Sequence, residues 1–321
     1  MRYSRIKTTH VIALVVAVAI AVPAGSSASS SQLPKCMDET PTIVGTPGDD
    51  FLVGTRDDDV IVGLGGNDVI EGIGGIDLIC GNEGNDQIDG GPSIDGLDGG
   101  PGDDTLAGSE SEDEYGEDPD FAVYVDAVAP VRVSLLTGTA TGDGTDTLVE
   151  IEGVFGSDFA DAIEGDSAAN YLYAGSGDDK VAAGPGSDLI DGEDGNDAVD
   201  GGPGDDLMSY RYSPGPVVVD LVAGTGRGFG DDTLAGVEDL LGSQFADRLS
   251  GDGGVNWIWG QGGADLISGA GGPDVLFGEK GNDVLNGGPG PDKLNGGPGR
   301  DRLNGGPGRD RCVGEKKRSC P

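Results

Sequence analysis

Polar and apolar residues recur along most of this chain with a period of nine. In each nine-residue unit the sixth place is almost always aspartate, the eighth is aliphatic, and the first and fourth are most often glycine. The unit is G-x-x-G-x-D-x-U-x, where U is apolar, as in residues 63–71 and 192–200. The phase holds over 45–107, 156–209 and 242–313, which gives seven, six and eight units. One apolar residue between two polar neighbours predicts a three-residue strand with one side chain in a core.

The other six residues of each unit predict a tight turn, because glycine tolerates the left-handed backbone that such turns use. Two units would make one coil of eighteen residues, with two short strands facing each other across a thin aliphatic core. Coils stacked about 4.8 Å apart would place each sixth-place aspartate over the one eighteen residues away. The sequence therefore predicts an all-β fold, a parallel β-roll (a β-helix-like solenoid) of nonapeptide repeats in three blocks, with two β-hairpin-like inserts.

Stacked aspartates require a counter-ion. Two unit charges at the stacking distance repel by about 1 kcal/mol in water, and by several at a protein-like dielectric. A hard divalent cation between coils would convert this repulsion to attraction. Ca²⁺ accepts six to eight oxygen ligands in a forgiving geometry, whereas Mg²⁺ demands a near-ideal octahedron. Calcium is therefore the expected cofactor, with an upper bound of about fifteen sites if every pair of units one coil apart forms one. Binding should be coupled to folding.

These blocks resemble the hemolysin-type repeats of secreted RTX proteins, whose family fold is a right-handed parallel β-roll with Ca²⁺ in the turns between coils. The resemblance implies that the sixth-place aspartates bind calcium. In the first block they are Asp50, Asp59, Asp68, Asp77, Asp86, Asp95 and Asp104. In the second and third blocks they are Asp161, Asp179, Asp188, Asp197, Asp206, Asp247, Asp265, Asp274, Asp283, Asp292, Asp301 and Asp310.

Some units depart from the pattern. Phe159 and Phe245 replace the fourth-place glycine in the units of Asp161 and Asp247. In two other units asparagine replaces the acid, at Asn170 and Asn256. Two first-block units carry Asp57 and Ser93 at the fourth place. We expect these units to bind calcium weakly or not at all.

The segments that break the period, 108–155 and 210–241, resemble each other. A shift of 86 residues lays Tyr124 on Tyr210 and brings a V-x-V-x-L run and a D-T-L run into register. The alternation within each V-x-V-x-L run predicts a half-buried hairpin. We interpret the inserts as wider coils within the stack.

The ends of the chain predict export and capping. Residues 1–28 have a basic start, a short apolar run and small residues, which is typical of a cleaved signal peptide. The protein is then secreted and extracellular, with no membrane span in the mature chain. Residues 29–44 and 314–321 are expected to cap the roll. Four cysteines allow three disulfide connectivities. We favour Cys36–Cys80 and Cys312–Cys320, since each pair brackets one end of the array; zinc is the less favoured alternative.

The charge balance limits the partners. The formal net charge is -39, which repels nucleic acid and favours cations or basic surfaces. We expect calcium ions as partners, no nucleic acid, and a monomer.

Three functional classes remain open. We favour a calcium-binding protein with a binding or structural extracellular role. One alternative is an adhesin or matrix protein that binds extracellular polysaccharide or a cell surface through outward aromatics, which we place at Tyr171, Tyr173, Trp257 and Trp259. We favour a covering role for those aromatics.

The other alternative is a carbohydrate-active β-helix enzyme. Its candidates would be carboxylates that the repeat does not explain, namely Glu150, Glu152 and Glu238. The only histidine, His10, lies in the predicted signal peptide, which excludes histidine-dependent hydrolases. We expect no enzyme activity.

Overall fold

The structure, a computed structural model, describes residues 35–109, 118–314, 316–318 and 320. The predicted signal peptide and the first part of the predicted N-terminal cap lie outside these residues. Every regular element of the described chain is a β-strand, which confirms the predicted all-β class. The chain divides into two compact units between Gly156 and Ser157.

The described residues of the first unit form thirteen strands. They are β1 (Ile43–Val44), β2 (Phe51–Val53), β3 (Val60–Gly65), β4 (Val69–Glu71), β5 (Leu78–Glu83), β6 (Gln87–Asp89), β7 (Gly96–Asp98), β8 (Thr105–Ala107), β9 (Phe121–Val123), β10 (Arg132–Ser134), β11 (Thr139–Thr141), β12 (Thr145–Val149) and β13 (Gly153–Phe155).

Alternate strands of the first unit form two parallel faces. On one face β1, β3, β5, β7, β9 and β13 pair in that order. On the other face β2, β4, β6, β8 and β12 do the same. Most partners lie eighteen residues apart, as in Ile61 with Ile79 and Ile70 with Ile88. Two nonapeptides therefore form one coil, as predicted.

The core of the first unit is a pair of aliphatic columns built from the eighth-place residues. Ile61, Ile79 and Leu97 form one column, and Ile70 and Leu106 belong to the other; each is 0% exposed. Full burial of such a side chain contributes about 1.5–3 kcal/mol. Because each coil supplies only two of them, no coil can bury its apolar surface without neighbours above and below.

Twenty-one strands lie in the part of the second unit that the structure describes. They are β14 (Ala162–Glu164), β15 (Tyr171–Tyr173), β16 (Lys180–Ala182), β17 (Leu189–Asp191), β18 (Ala198–Asp200), β19 (Leu207–Ser209), β20 (Val218–Asp220), β21 (Thr225–Arg227), β22 (Asp231–Ala235), β23 (Asp239–Leu241), β24 (Arg248–Ser250), β25 (Trp257–Trp259), β26 (Gly262–Gly263), β27 (Leu266–Ser268), β28 (Val275–Phe277), β29 (Lys280–Gly281), β30 (Val284–Asn286), β31 (Lys293–Asn295), β32 (Arg302–Asn304), β33 (Arg311–Val313) and β34 (Lys316–Arg318).

The second unit repeats the two-faced architecture. One face is the parallel series β15, β17, β19, β23, β25, β28, β31 and β33. The other face runs parallel from β14 through β16 and β18 to β22, and again from β20 through β24, β27, β30 and β32 to β34. Both units are thus parallel β-solenoids, as the nonapeptide pattern predicts.

The two inserts are wider coils that carry a hairpin. In the first unit β9, β12 and β13 continue the parallel faces, while β10 and β11 fold antiparallel beside β12. In the second unit β22 and β23 continue the faces, and β20 and β21 form the equivalent hairpin. The predicted hairpins are confirmed.

Both favoured disulfides are present. Cys36 is bonded to Cys80 and Cys312 to Cys320, and no free cysteine remains among the described residues. The first bridge ties the chain before β1 to β5, and the second closes the loop after β33. No helix in the described ranges has the length and hydropathy to cross a membrane.

Candidate calcium-binding aspartate rows

The sixth-place aspartates stack in rows that run along the edges of each solenoid. After the first coil of each block, the Oδ1 atom of each carboxylate in a row accepts the backbone N–H of the sixth-place residue eighteen positions earlier. Asp50 donates to Asp68, and Asp68 to Asp86, each at 2.8 Å. In the second unit Asp265 donates to Asp283 at 2.9 Å. This ladder fixes the orientation of every carboxylate and so decides where the second oxygen points.

The second oxygen is the unusual feature of the rows. In fifteen aspartates of the described residues the Oδ2 atom is buried and has no hydrogen-bond partner. A buried polar atom without a partner is strongly unfavourable, and more so when charged. The fifteen are Asp68, Asp77, Asp86, Asp95, Asp104, Asp179, Asp188, Asp197, Asp206, Asp265, Asp274, Asp283, Asp292, Asp301 and Asp310.

Burial has a direct electrostatic consequence in these rows. Desolvation raises the pKa of Asp77, Asp104 and Asp179 to about 7, and that of Asp95 to about 9. Neighbouring carboxylates of the same row add to the increase, as Asp59 does for Asp77. Backbone N–H donors only partly offset it. The protein alone therefore provides too little positive charge for these carboxylates to ionise readily.

The first-place glycines leave room for an ion beside the open oxygens. A Cβ atom on Gly63 would lie against Asp68 Oδ2 and 2.7 Å from the carbonyl oxygen of Gly81, in the next coil. On Gly90 it would lie 2.6 Å from Asp95 Oδ2. Carboxylate and carbonyl oxygens therefore converge where a side chain is absent.

The donor set consists of oxygens. Within the described residues there is no group of three or more His, Cys, Asp or Glu side chains able to hold a metal. Any ion in a row would therefore draw most of its ligands from backbone carbonyls of the turns. A shell of carboxylate and carbonyl oxygens suits a hard cation and fits Ca²⁺ well.

The backbone conformation at the second place distinguishes the units with an open Oδ2 atom from the other units. The repeat pattern derived from the sequence specified no residue type at this place. In all fifteen units with an open Oδ2, the second-place residue has a positive φ. These residues are Leu64, Ile73, Asn82, Gly91, Gly100, Gly175, Gly184, Glu193, Gly202, Gln261, Ala270, Glu279, Gly288, Gly297 and Gly306. Eight of them are glycine. This partial preference for glycine was the feature of the sequence that could have indicated a left-handed backbone at the second place.

The first coil of each block uses a different second-place residue. There the second-place N–H donates to the sixth-place side chain of its own unit: Thr46 to Asp50 at 2.5 Å and Ser157 to Asp161 at 2.6 Å. The hydroxyl groups of Thr46 and Ser157 donate to the same carboxylates. Hydrogen bonds thus satisfy the carboxylate at the start of a row, where no coil of the same block precedes it.

Threonine or serine also occupies the second place in two other units of these first coils. Thr55 caps Asp59, and Ser243 caps Asp247. In the units of Asn170 and Asn256, the asparagine side-chain oxygen accepts the backbone N–H of the second-place residue, which is Asp166 in one unit and Asp252 in the other. Four of the predicted metal ligands, Asp50, Asp59, Asp161 and Asp247, therefore differ in environment from the other fifteen. By contrast, the unit with Ser93 has the left-handed fourth place and open oxygen of an ordinary unit.

The inserts terminate the rows with protein groups. Asp146 and Asp232 continue two rows by accepting the N–H groups of Asp104 and Asp197. Their Oδ2 atoms, however, accept the hydroxyl groups of buried tyrosines: Tyr124 at 3.0 Å and Tyr210 at 2.7 Å. The tyrosine hydroxyl thus supplies the hydrogen bond that the Oδ2 atoms of the fifteen open aspartates lack. This explains why the two inserts share a tyrosine and a D-T-L run.

Two of the three glutamates that the repeat did not explain terminate the other rows. Glu152 Oε2 accepts the N–H of Asp120, and Glu238 Oε2 accepts the N–H of Asp206, each at 3.0 Å. They replace the aspartate of a following coil. Neither contact was foreseeable from the sequence, because the partner lies 32 residues away.

Fifth-place residues form a second, outer ladder. Asn67 and Asn85 each donate their N–H to the fifth-place side chain of the preceding coil, Asp49 and Asn67 respectively, at 2.9 and 2.8 Å. Asp103 extends the ladder. These exposed amides account for the frequent Asn-Asp pair in the units, and they hold coils in register without contributing to the open oxygens.

The chain also matches a known family. The model for the RTX calcium-binding nonapeptide repeat (4 copies) matches residues 44–79, 80–114, 155–190, 175–208, 241–276 and 277–312. These matches cover more than half of the chain, and the protein therefore belongs to the family of RTX calcium-binding nonapeptide-repeat proteins. A search of curated proteins found no match.

The second-place geometry makes a prediction about stability. Ile73 is β-branched, has φ 85° and is 42% exposed. A left-handed backbone costs a non-glycine L-residue about 1–2 kcal/mol. Glycine avoids this cost, but its greater freedom in the unfolded chain offsets about 0.5–1 kcal/mol of the gain. Ile73→Gly should therefore stabilise the calcium-saturated protein by up to about 1 kcal/mol in urea denaturation.

Thr46→Gly is the matched control. Thr46 does not have a positive φ, and its hydroxyl group donates to Asp50 at 2.9 Å, so this variant should be less stable than the parent. Destabilisation by Ile73→Gly would contradict the account of the second place.

The raised aspartate pKa values predict an acid-favoured fold in the absence of metal. Because the folded pKa lies above the unfolded value, each such group contributes stability at low pH that is lost as the pH rises through about 7. Calcium-free protein, prepared over a chelating resin, should show more β signal in circular dichroism at pH 5 than at pH 8. Saturating calcium should remove most of this difference. A calcium-free fold that strengthens toward pH 8 would contradict the prediction.

Proposed function

We propose that this is a secreted calcium-binding protein that folds when Ca²⁺ occupies its aspartate rows, and that its extracellular role is binding or structural. The observation that carries the proposal is the set of fifteen buried carboxylate oxygens without a partner. In a chain of net charge -39, such rows repel themselves unless cations lie between them. The family match supports calcium as that cation.

The residues that would hold calcium follow from the rows. Each ion would take the open Oδ2 of one sixth-place aspartate and carbonyl oxygens of the glycine-rich turns, in two successive coils. Bound calcium would supply the positive charge that the rows lack. The second-place left-handed residues keep their N–H groups from donating to the carboxylate, and the first-place glycines leave space. The four capped aspartates at the starts of rows would contribute little.

Export is inferred from the ends of the chain. Residues 1–28 have the composition of a signal peptide. Two disulfides support an oxidising compartment, since such bonds are rare in a reducing cytosol. Calcium is scarce inside cells and abundant outside, so the chain would remain an unfolded polyanion until it is exported. Folding would then coincide with arrival.

We assign no catalytic role to the carboxylates. Glu152 and Glu238 accept backbone N–H groups at the ends of rows. The sixth-place aspartates are committed to the ladder. These contacts give each group a structural role that needs no substrate.

Polysaccharide binding is the second candidate. Tyr173, proposed above as an outward aromatic, is buried with 5% exposure, so it offers no surface. Trp257 and Trp259 are half-buried and lie with Phe277 in one aromatic cluster, where the rings of Trp259 and Phe277 are 5.8 Å apart. The cluster packs on itself and also leaves aromatic surface accessible.

A glycan array separates the two roles of this cluster. If it covers the sheet, Trp257→Ala with Trp259→Ala should lower the unfolding midpoint and leave array signals at background for parent and variant alike. Strong parental binding that the double variant loses, with its fold intact, would establish the adhesin.

The calcium-dependent fold has a direct test. In EGTA at neutral pH the mature chain should give the circular dichroism of a disordered polymer, and added Ca²⁺ should produce a cooperative gain of β signal. Calorimetric titration should show several ions per chain, because up to fifteen open oxygens are available. A spectrum unchanged by calcium, together with negligible heat, would end the proposal.

A matched pair of variants tests the site assignment. Asp283→Asn removes a carboxylate whose Oδ2 is open, while Asp50→Asn removes one that Thr46 already satisfies. We expect Asp283→Asn to lower the calcium stoichiometry or to shift the folding midpoint to severalfold higher calcium. Asp50→Asn should leave both nearly unchanged. Equal effects would refute the distinction between open and capped aspartates.

A further inference from the structure

The last three repeats, residues 287–313, have a charge distribution unlike that of the rest of the chain. They contain three acidic residues, all at the sixth place and all buried: Asp292, Asp301 and Asp310. They also contain five basic residues, all exposed. These are Lys293, Arg300, Arg302, Arg309 and Arg311. In a strongly acidic protein, every exposed charge of this segment is therefore positive. We call these five residues the basic collar.

The collar surrounds the last coils. Lys293 and Arg311 lie on β31 and β33 of one face, and Arg302 lies on β32 of the other. Arg300 and Arg309 occupy the fifth places of successive units, which lie on opposite edges because two units make a coil. Positive charge is thus present on both faces and both edges.

The arrangement is unfavourable for the solenoid itself. Lys293 and Arg311 are direct partners in the parallel register, and strands in a sheet are about 4.8 Å apart. Like charges opposite each other across a sheet destabilise it. Neither side chain forms an ion pair within the described part of the chain, where the observed pairs involve other residues. Pairing with the described residues therefore does not explain the collar.

Compensation of the buried aspartates does not explain it either. The second block buries the same kind of row, with Asp179 and Asp197 among its members, yet its exposed charges include Asp178, Asp194 and Asp200. Buried rows thus occur beneath an acidic surface as well as beneath a basic one. The change of sign at the last three repeats requires a separate reason.

Four of the five cations are arginine. The planar guanidinium group donates through a rigid fork that matches oxyanions, and it is more weakly hydrated than an ammonium group. Because the arginines recur every nine residues, they lie in turn on opposite edges and faces, so the forks are distributed around the last coils. This distribution fits an extended ligand with repeated negative groups better than a single small anion.

We propose that the basic collar binds an anionic polymer that carries repeated sulfate, phosphate or carboxylate groups. The polymer would anchor this end of the solenoid, while the acidic remainder of the surface repels it and keeps the contact local. The proposal rests on the calcium-dependent fold, since the collar exists only when the coils are wound.

The test uses the mature protein in saturating calcium at about 0.15 M salt, where long-range surface charge is largely screened. Binding to dextran sulfate, to polyglutamate and to neutral dextran is measured by biolayer interferometry. We expect binding to at least one polyanion and none to neutral dextran. The two polyanions distinguish sulfate-like from carboxylate recognition.

Two variants of equal charge change locate the site. The collar variant carries Arg300→Gln, Arg302→Gln, Arg309→Gln and Arg311→Gln. The control variant carries four changes at exposed cations elsewhere, namely Arg56→Gln, Arg132→Gln, Lys180→Gln and Arg248→Gln. We expect the collar variant to bind at least about tenfold more weakly, with a shallower salt dependence, and the control to bind like the parent.

The outcomes separate this proposal from the previous one. Calcium titration and circular dichroism of the collar variant should match the parent; if that variant fails to fold, the milder double variant Arg300→Gln with Arg309→Gln replaces it. The proposed polyanion site is overturned if the parent binds neither polyanion, or if the collar and control variants lose polyanion binding equally. Light scattering that shows a dimer only in the parent would overturn it too, because the partner would then be a second copy of this acidic chain.

Discussion

The stacking of one carboxylate upon the next controls this structure. After the first coil of each block, every sixth-place aspartate uses one oxygen to accept a backbone N–H from the preceding coil, which commits the chain to an eighteen-residue repeat. The same bond directs the other oxygen into the turn, where no protein donor reaches it in fifteen cases. The bond that sets the register therefore also leaves a buried carboxylate oxygen without a compensating positive group. In the proposed function, cation binding and winding of the chain are two aspects of one equilibrium.

The solenoid manages this deficit differently at the ends of its rows. At the start of a block, threonine or serine at the second place donates to the carboxylate. Within the inserts a buried tyrosine hydroxyl does so, and a glutamate replaces the final aspartate in the other rows. All three devices use hydrogen bonds where a cation between two repeat coils is not available. The inserts therefore act as internal caps that divide the array into cation-binding blocks.

The aliphatic core supports this arrangement but does not determine it. Each coil contributes only two eighth-place side chains, such as Ile61 and Ile70, to columns that are fully buried. Such a core is thin compared with that of a globular domain. The disulfides at Cys36–Cys80 and Cys312–Cys320 lie near the two ends of the repeat array.

The sequence by itself determined the fold class, the coil length and the rows, because a strict period ties each residue to its neighbour eighteen positions away. It favoured both disulfide pairings only through the position of each cysteine pair near one end of the array. It revealed only in part which aspartates are open: the units of Asp59, Asp161 and Asp247 were expected to bind weakly, but the capped Asp50 was not anticipated and the unit of Ser93 was wrongly included. Whether an aspartate is open depends on the left-handed backbone at the second place, which seven non-glycine residues also adopt, Ile73 and Leu64 among them. It also could not assign Glu152, Tyr124 or Tyr210, whose partners lie 22 or 32 residues away, outside the period. Only the wound chain brings those groups together, since a wider coil has no repeat from which its contacts can be read.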